Sequence, residues 1–504
     1  MKPFTHDYRH SCYMLPVLAR KSWNFTAAAH LLNRAGFGGT PQDVEKLLAL
    51  GPEGAVDYFV NYQAIPDTTA NPDWAKPDPD RVERLRSARM AGPEERRKIQ
   101  QEEQRNQRQR MLELKFWWLQ RMAKGPRPLQ EKLALFWHGH FATSMEKVRD
   151  ACLMWQQNDL FRRLGMGAWP DLLLAVAKDP AMLVWLDQAQ SRKEHPNENF
   201  AREVMELFAL GEGHYTEKDI TEGARALTGW SYDRLEQKFV ERPFWHDRGQ
   251  KTIFGRTGNF NGEDFLNLIV SQPQANRFIT AKLWKFFAGA APSEALASTL
   301  AAEFQQADQN FKPLLRQMFL SEEFYAPAVI RSQVKSPVQW LVGSVRLLER
   351  ELPPPLACFA LTRNLGQDLF APPNVKGWDG GLSWITTNTL LARYNEAATL
   401  IQGDVSMLAG AGLARRPEMN EAIERRFENT RLRGVDIEKL FSVEQRASKE
   451  ALVAALEKRF LQSKLQPNQE QALRDFLAPH EDLDNATIRD AVRLVMSTPE
   501  YQLT

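Results

Sequence analysis

The sequence predicts a mainly α-helical protein: a large multi-helix body with one small β-hairpin insertion and a C-terminal helical subdomain. Three observations carry this. Apolar residues recur at helical spacing through most of the 504 residues, cap residues mark the starts and stops of those runs, and period-two alternation surfaces in one short stretch. With 43% hydrophobic and 25% charged residues the composition is that of a folded globular chain. The length exceeds the roughly 250–300 residues that one hydrophobic core usually organises. The reading therefore divides the chain into an N-terminal helical segment (1–62), a linker (63–80), a central helical domain (81–351) and the C-terminal subdomain (352–504).

Taken in order, Ala27–Arg34 reads as a helix that closes at Gly36-Phe-Gly-Gly39, and Thr40 caps the next with proline in its first turn. A third follows over Glu53–Tyr62. Ala64–Asp80, with Pro66, Pro72, Pro77 and Pro79, loses periodicity and reads as the linker. Arg81–Met122, rich in Arg, Glu and Gln and broken at Gly92-Pro93, reads as a helical hairpin with a wet outer face. Helices continue to Leu186, and between Lys238 and Gly255 alternation on both sides of Asp247-Arg-Gly249 predicts the hairpin. Helices resume from Glu263 to Glu351, and beyond Pro353-Pro-Pro355 a turn-rich stretch, 372–384, precedes the last ones.

Composition also excludes. Lys plus Arg number 65 against 63 Asp plus Glu, so no overall field recruits nucleic acid or anionic lipid. The basic clusters Arg96–Lys98 and Arg105–Arg110 are interleaved with glutamates and read as a solvated helix face, so nucleic acid is not an expected partner. No stretch has the uncharged apolar length of a membrane span. The first residues lack a signal-peptide pattern, which predicts a cytoplasmic rather than an exported protein. Cys12, Cys152 and Cys358 are isolated and odd in number, which argues against a disulfide framework and a thiolate zinc site.

The candidate site is the run from His195 to Trp230. On a helical wheel Asn199, Glu203 and Glu206 share one arc, opposite Phe200, Val204 and Phe208. Two carboxylates at i, i+3 suit a hard divalent cation or a proton-transfer pair. The plain alternative is an amphipathic helix with a wet face. Gly211-Glu-Gly-His214 ends that helix, and Thr216 with Asp219 caps the next, making a tight corner that would aim His214 at its surroundings, with Arg225 as an anion partner. Asn197 joins Asn199 as a binding candidate. His138 and His140 flank Gly139 at a helix end. They are metal candidates together with Glu203 and Glu206, although i and i+2 diverge on a helix and a capping or buried hydrogen-bonding role is the plainer expectation. His246, between aromatics, is a further candidate base. Trp378 and Trp384, with Lys376 in a Gly/Pro-rich loop, are candidates for a pocket wall. No Walker, dinucleotide-binding or Gly-x-Ser-x-Gly pattern is present.

Several ordered motifs bear on family. Ala29-His-Leu-Leu-Asn-Arg-Ala-Gly-Phe-Gly38, Phe136-Trp-His-Gly-His-Phe141, Asn197-Glu-Asn-Phe-Ala-Arg-Glu-Val-Met-Glu-Leu-Phe208, Ala224-Arg-Ala-Leu-Thr-Gly-Trp230, Asn374-Val-Lys-Gly-Trp378 and Pro499-Glu-Tyr-Gln502 together resemble the large bacterial family catalogued as domain of unknown function 1800. The resemblance spans nearly the whole chain. It implies a bacterial, mainly helical protein and brings no catalytic residues to transfer. It also implies a functional association with a phosphatase- or sulfatase-like protein, whose genes often neighbour those of members. Members often look exported, a pattern from which this N-terminus departs. Two readings of function follow: a binding or accessory protein built around the polar corner, which leads, and a metal-assisted or acid/base hydrolase-like enzyme using the Glu203/Glu206 and histidine groups.

Overall fold

The computed structural model describes residues 15–75, 80–403 and 433–504. Cys12, Pro77 and Pro79 lie outside them. The chain is mainly α with small β insertions. Asn24 caps α1 (Phe25–Ala35), and a full capping box between Thr40 and Asp43 opens α2 (Pro41–Val60), which kinks where Gly51 takes φ +72°. The stretch 63–75 then lies along the following helices, with Trp74 Nε1 donating to Glu113 at 2.9 Å and Arg121 pairing with Asp67 at 2.6 Å.

The hairpin of α3 (Arg81–Met90) and α4 (Pro93–Lys124) leads to α5 (Pro128–His140), α6 (Met145–Val148), α7 (Ala151–Leu164), α8 (Trp169–Ala177) and α9 (Pro180–Trp185). Buried Glu131 fixes α5 by accepting from Trp118 Nε1, Arg121 and Arg162 at 2.8–2.9 Å. Next come α10 (Glu198–Glu203), a π-helical turn (Val204–Ala209) and α11 (Glu217–Ala226).

The β insertion differs from the expected single hairpin across Asp247–Gly249. There are two antiparallel hairpins: β1 (Trp230–Asp233) with β2 (Lys238–Glu241), and β3 (Lys251–Ile253) with β4 (Arg256–Gly258). The turns form where the backbone can be left-handed, at Gln237 (φ 55°) and at Phe254-Gly255 (φ 48° and 75°). The segment around Asp247 instead connects the two hairpins, its carboxylate bonded to Arg225 on α11 and, in an Asx turn, to the Gly249 N–H.

The second half stacks α12 (Gly262–Val270), α13 (Pro273–Ala288), α14 (Glu294–Gln306), α15 (Phe311–Leu320), α16 (Pro337–Leu347), α17 (Pro355–Asn364) and α18 (Thr387–Gln402). The C-terminal part adds α19 (Ile437–Leu440), α20 (Lys449–Leu456), α21 (Pro467–Leu477) and α22 (Asn485–Met496). Many helices start with proline in the first turn, where its missing N–H costs nothing. One continuous core runs from Leu15 to Tyr501 and holds Trp118, Trp137, Trp169 and Trp340 fully buried. No helix among the described residues is long and apolar enough to cross a membrane.

Candidate functional site

α10 starts at Asn197, whose Oδ1 accepts the Asn199 N–H at 3.1 Å and whose Nδ2 donates to the Leu186 carbonyl at 2.7 Å. Asn197 is thus a cap and an anchor. Phe200, Ala201, Val204, Met205, Phe208 and Ala209 are buried, Asn199 is exposed, and Glu203 and Glu206 are partly buried, so the arc drawn from the wheel is the wet face. The π turn was not foreseen. Its widened spiral, with the Leu210 N–H on the Met205 carbonyl at 2.8 Å, leaves late carbonyls to other partners. Lys282 Nζ on α13 donates to the Leu207 carbonyl at 3.0 Å, His140 Nε2–H to that of Phe208 at 3.0 Å, and Gln274 to that of Leu210 at 2.9 Å. A cation and two neutral donors therefore close the negative end of this helix.

His138 and His140, two residues apart in sequence, are each taken up by partners. His140 Nδ1 faces the Lys282 ammonium at 3.4 Å, so it accepts while Nε2 donates. Burial first, and then Lys282, holds the imidazole pKa well below its usual range. His138 accepts the Phe370 N–H on Nε2 at 2.9 Å, among the rings of Trp118, Phe370 and Trp378. Its pKa is pushed down to about 3 by burial, with Lys115 adding to the effect. Both imidazoles are structural hydrogen-bonding groups in a dry setting. They are not brought together with Glu203 and Glu206 as a metal cage, and among the described residues no group of three or more His, Cys, Asp or Glu side chains gathers to hold a cation.

The acids themselves stay accessible. Tyr215, just past the glycine corner, donates its hydroxyl to Glu206 Oε2 at 2.6 Å, and burial together with that bond raises the phenol pKa. Glu203 accepts no hydrogen bond and forms no ion pair among the described residues. Its pKa is raised by burial and then by Glu206, with Arg202 and Lys376 opposing. Arg202 is itself bound by Glu217 through two bonds of 2.9 and 2.8 Å. The exposed Lys376 thus acts on Glu203 through charge alone.

Lys376 is placed there by its neighbour. Gly377 takes φ +81° and lies so close to the Gly139 carbonyl that any Cβ would collide with it, while Trp378 packs on His138. The 372–384 loop is thereby clamped onto the His-Gly-His turn. Trp384 is only 7% exposed and rests on Gly366, so it is a core contact; Trp378 is partly exposed.

The other candidates fall elsewhere. His214 is exposed at the glycine corner. The capping box of Thr216 and Asp219 forms as expected. Arg225 is taken up by Asp247 at 2.8 and 3.2 Å, by Glu222 at 3.0 and 2.8 Å and by the Gln250 carbonyl, leaving no fork for a ligand anion. His246 Nδ1 lies 2.9 Å from the Thr228 carbonyl, tying the β insertion to α11. Tyr215, Lys282 and the Gly139–Gly377 contact were missed. Tyr215 carried a signal, standing beside the acids in a corner; Lys282 reaches partners 75 and 142 positions away, and Gly139 meets Gly377 across an even longer stretch of chain.

Fold and site together define a mainly helical protein with an acidic corner near a glycine-clamped loop, whose Lys376 acts on Glu203 by charge. The chain belongs to a family of proteins of unknown function, DUF1800, whose family model matches residues 30–503. That range contains the corner, the His-Gly-His turn and the loop. No curated protein and no solved structure matches the chain.

Proposed function

We propose that this is a binding or accessory protein whose corner receives a cationic group carried by a ligand or a partner. The observation that supports it is Glu203, a half-buried carboxylate without a partner, set beside a second carboxylate. Such a pair costs free energy that an incoming cation offsets. Catalytic roles lose support because His138 and His140 are sequestered and Arg225 is occupied. An association with a phosphatase- or sulfatase-like protein, implied by the family resemblance, fits a partner that presents Lys or Arg here.

One observation favours the enzyme reading: a carboxyl group with a raised pKa beside a second carboxylate is how general acids are poised. Calorimetric titration with a lysine-rich peptide, alongside turnover assays on nitrophenyl phosphate, sulfate and acetate, separates the two. We expect peptide binding that weakens about tenfold in Glu203→Gln or Glu206→Gln, with no turnover. Binding should also weaken on acidification sooner than an ordinary Glu would allow, because the raised pKa of Glu203 protonates it earlier. Ester turnover abolished by Glu203→Gln would replace this reading with the enzyme one, and absence of peptide binding would sink it.

A further inference from the structure

A separate cleft of about 610 Å³ opens between the β1–β2 hairpin and the segment that follows α9. Its size is that of a small-molecule site. Three basic side chains, Lys147, Arg234 and Arg242, line it against two acids, Asp187 and Asp233, with Trp245 at the wall.

The acids are already committed and two of the cations are not. Asp187 pairs with Lys147 at 2.7 Å. Asp233 Oδ1 accepts the N–H groups of Leu235 at 2.7 Å and Glu236 at 3.1 Å, which close the hairpin turn. Those bonds lower the Asp233 pKa, to which the nearby charge of Arg242 adds. Neither Arg234 nor Arg242 forms a side-chain hydrogen bond or an ion pair among the described residues.

Arg242 is nevertheless held in place. Its guanidinium lies 4.8 Å from the centre of the Trp245 ring, and that of Arg192 lies 4.1 Å from the same ring. Stacking on an indole fixes the plane of a guanidinium and leaves its in-plane N–H fork free for an oxyanion. Gln190 and Tyr232 line the same cleft with side-chain polar groups that have no hydrogen-bond partner among the described residues. Guanidinium groups and neutral polar groups lining one cleft suit a molecule that carries both an oxyanion and hydroxyls.

We propose that this cleft binds a sugar-sized polyol bearing one phosphate or carboxylate, with Arg242 and Arg234 taking the oxyanion and Gln190 and Tyr232 the hydroxyls. The site is distinct from the acidic corner, so neither proposal rests on the other.

Isothermal titration of the full chain with glucose 6-phosphate, glucuronate and glucose tests it. Glucose 6-phosphate and glucuronate report which oxyanion is preferred, and glucose is the neutral control. We expect saturable binding of an anionic sugar, much weaker binding of glucose, and affinity that falls as salt is raised. Arg242→Gln or Arg234→Gln should weaken it about tenfold, while Glu203→Gln should leave it unchanged. Both arginines are exposed, so the variants keep the fold, which a thermal melt verifies. No binding of either anionic sugar, equal binding of glucose, or affinity unaltered in both arginine variants would overturn the proposal.

Discussion

Burying an ammonium group costs several kcal/mol unless a carboxylate accompanies it, and Lys132 has no acidic partner among the described residues. Its Nζ reaches the Asn33 carbonyl at 3.4 Å and the Phe37 ring at 5.0 Å. Burial, and then Arg34, pushes its pKa down to about 7 from 10.5. Between those values the unfolded chain holds a proton that the folded chain does not, so stability rises with pH across the window and is lost as pH falls from 10.5 through 7. Lys335, on the Tyr501 carbonyl at 2.6 Å, is also pushed down to about 7 and adds to the same slope. The melting temperature should therefore be higher at pH 9 than at pH 7. Lys132→Met should raise it at pH 7 and make the rise to pH 9 shallower. An unaltered slope in that variant would show that Lys132 is not the buried cation the fold presents. A similar logic explains what could be read in His138 and His140. Their spacing on a helix indicated divergence, which the structure bears out. Their partners Phe370 and Phe208 lie 232 and 68 residues away, beyond any local pattern.

At the scale of elements, the loop over 372–384 is held by contact between two backbones. Gly377 has a left-handed φ of +81° and no room for a Cβ against the Gly139 carbonyl. Gly377→Ala should destabilise the protein by about 1–3 kcal/mol. It should also weaken cationic-peptide binding, because Lys376 and Trp378 shift relative to Glu203. Thermal melts and the same titration check this, and a variant that melts like the wild type would remove the clamp from the account. Elements governed by local chemistry were legible in the sequence. Thr40 announces its helix through the cap and the proline after it, and Thr216 through a capping box with Asp219, because both signals span only a few residues; the acidic face of α10 follows from spacing alone. Elements decided by distant partners were not. The hairpin was placed across Asp247–Gly249 from the alternation on both sides of it, yet that segment connects two hairpins and bonds to Arg225, and the hairpin turns form at Gln237 and Phe254-Gly255. The π turn at Val204–Ala209 has no composition of its own; it accompanies helix-end carbonyls bound by Lys282, His140 and Gln274.

Across the whole molecule, the first helix and the last residues are joined through one guanidinium. Arg34 on α1 is fully buried and donates to the Phe287 carbonyl at 3.0 Å, Gln333 Oε1 at 2.9 Å, the Val329 carbonyl at 2.8 Å and the Thr504 carbonyl at 2.7 Å. Nearby, Thr504 and Gln333 exchange backbone bonds of 2.9 and 3.3 Å. Burial lowers the Arg34 pKa to about 9, a sign that carbonyls compensate its charge less fully than carboxylates would. Loosening this point should therefore free 326–334 and the last residues together, because both are bound by the same guanidinium. Arg34→Lys keeps the charge but cannot reproduce the planar fork, so several buried carbonyls lose their donors, at about 1–3 kcal/mol each. We expect a large fall in the urea midpoint. Limited proteolysis with mass mapping should then show cleavage in 326–334 and near 499–504 appearing at the same protease dose. If cleavage near 499–504 rose while 326–334 stayed protected, Arg34 would be only a local anchor of the last residues, and the tie between the two segments would lie elsewhere in the core.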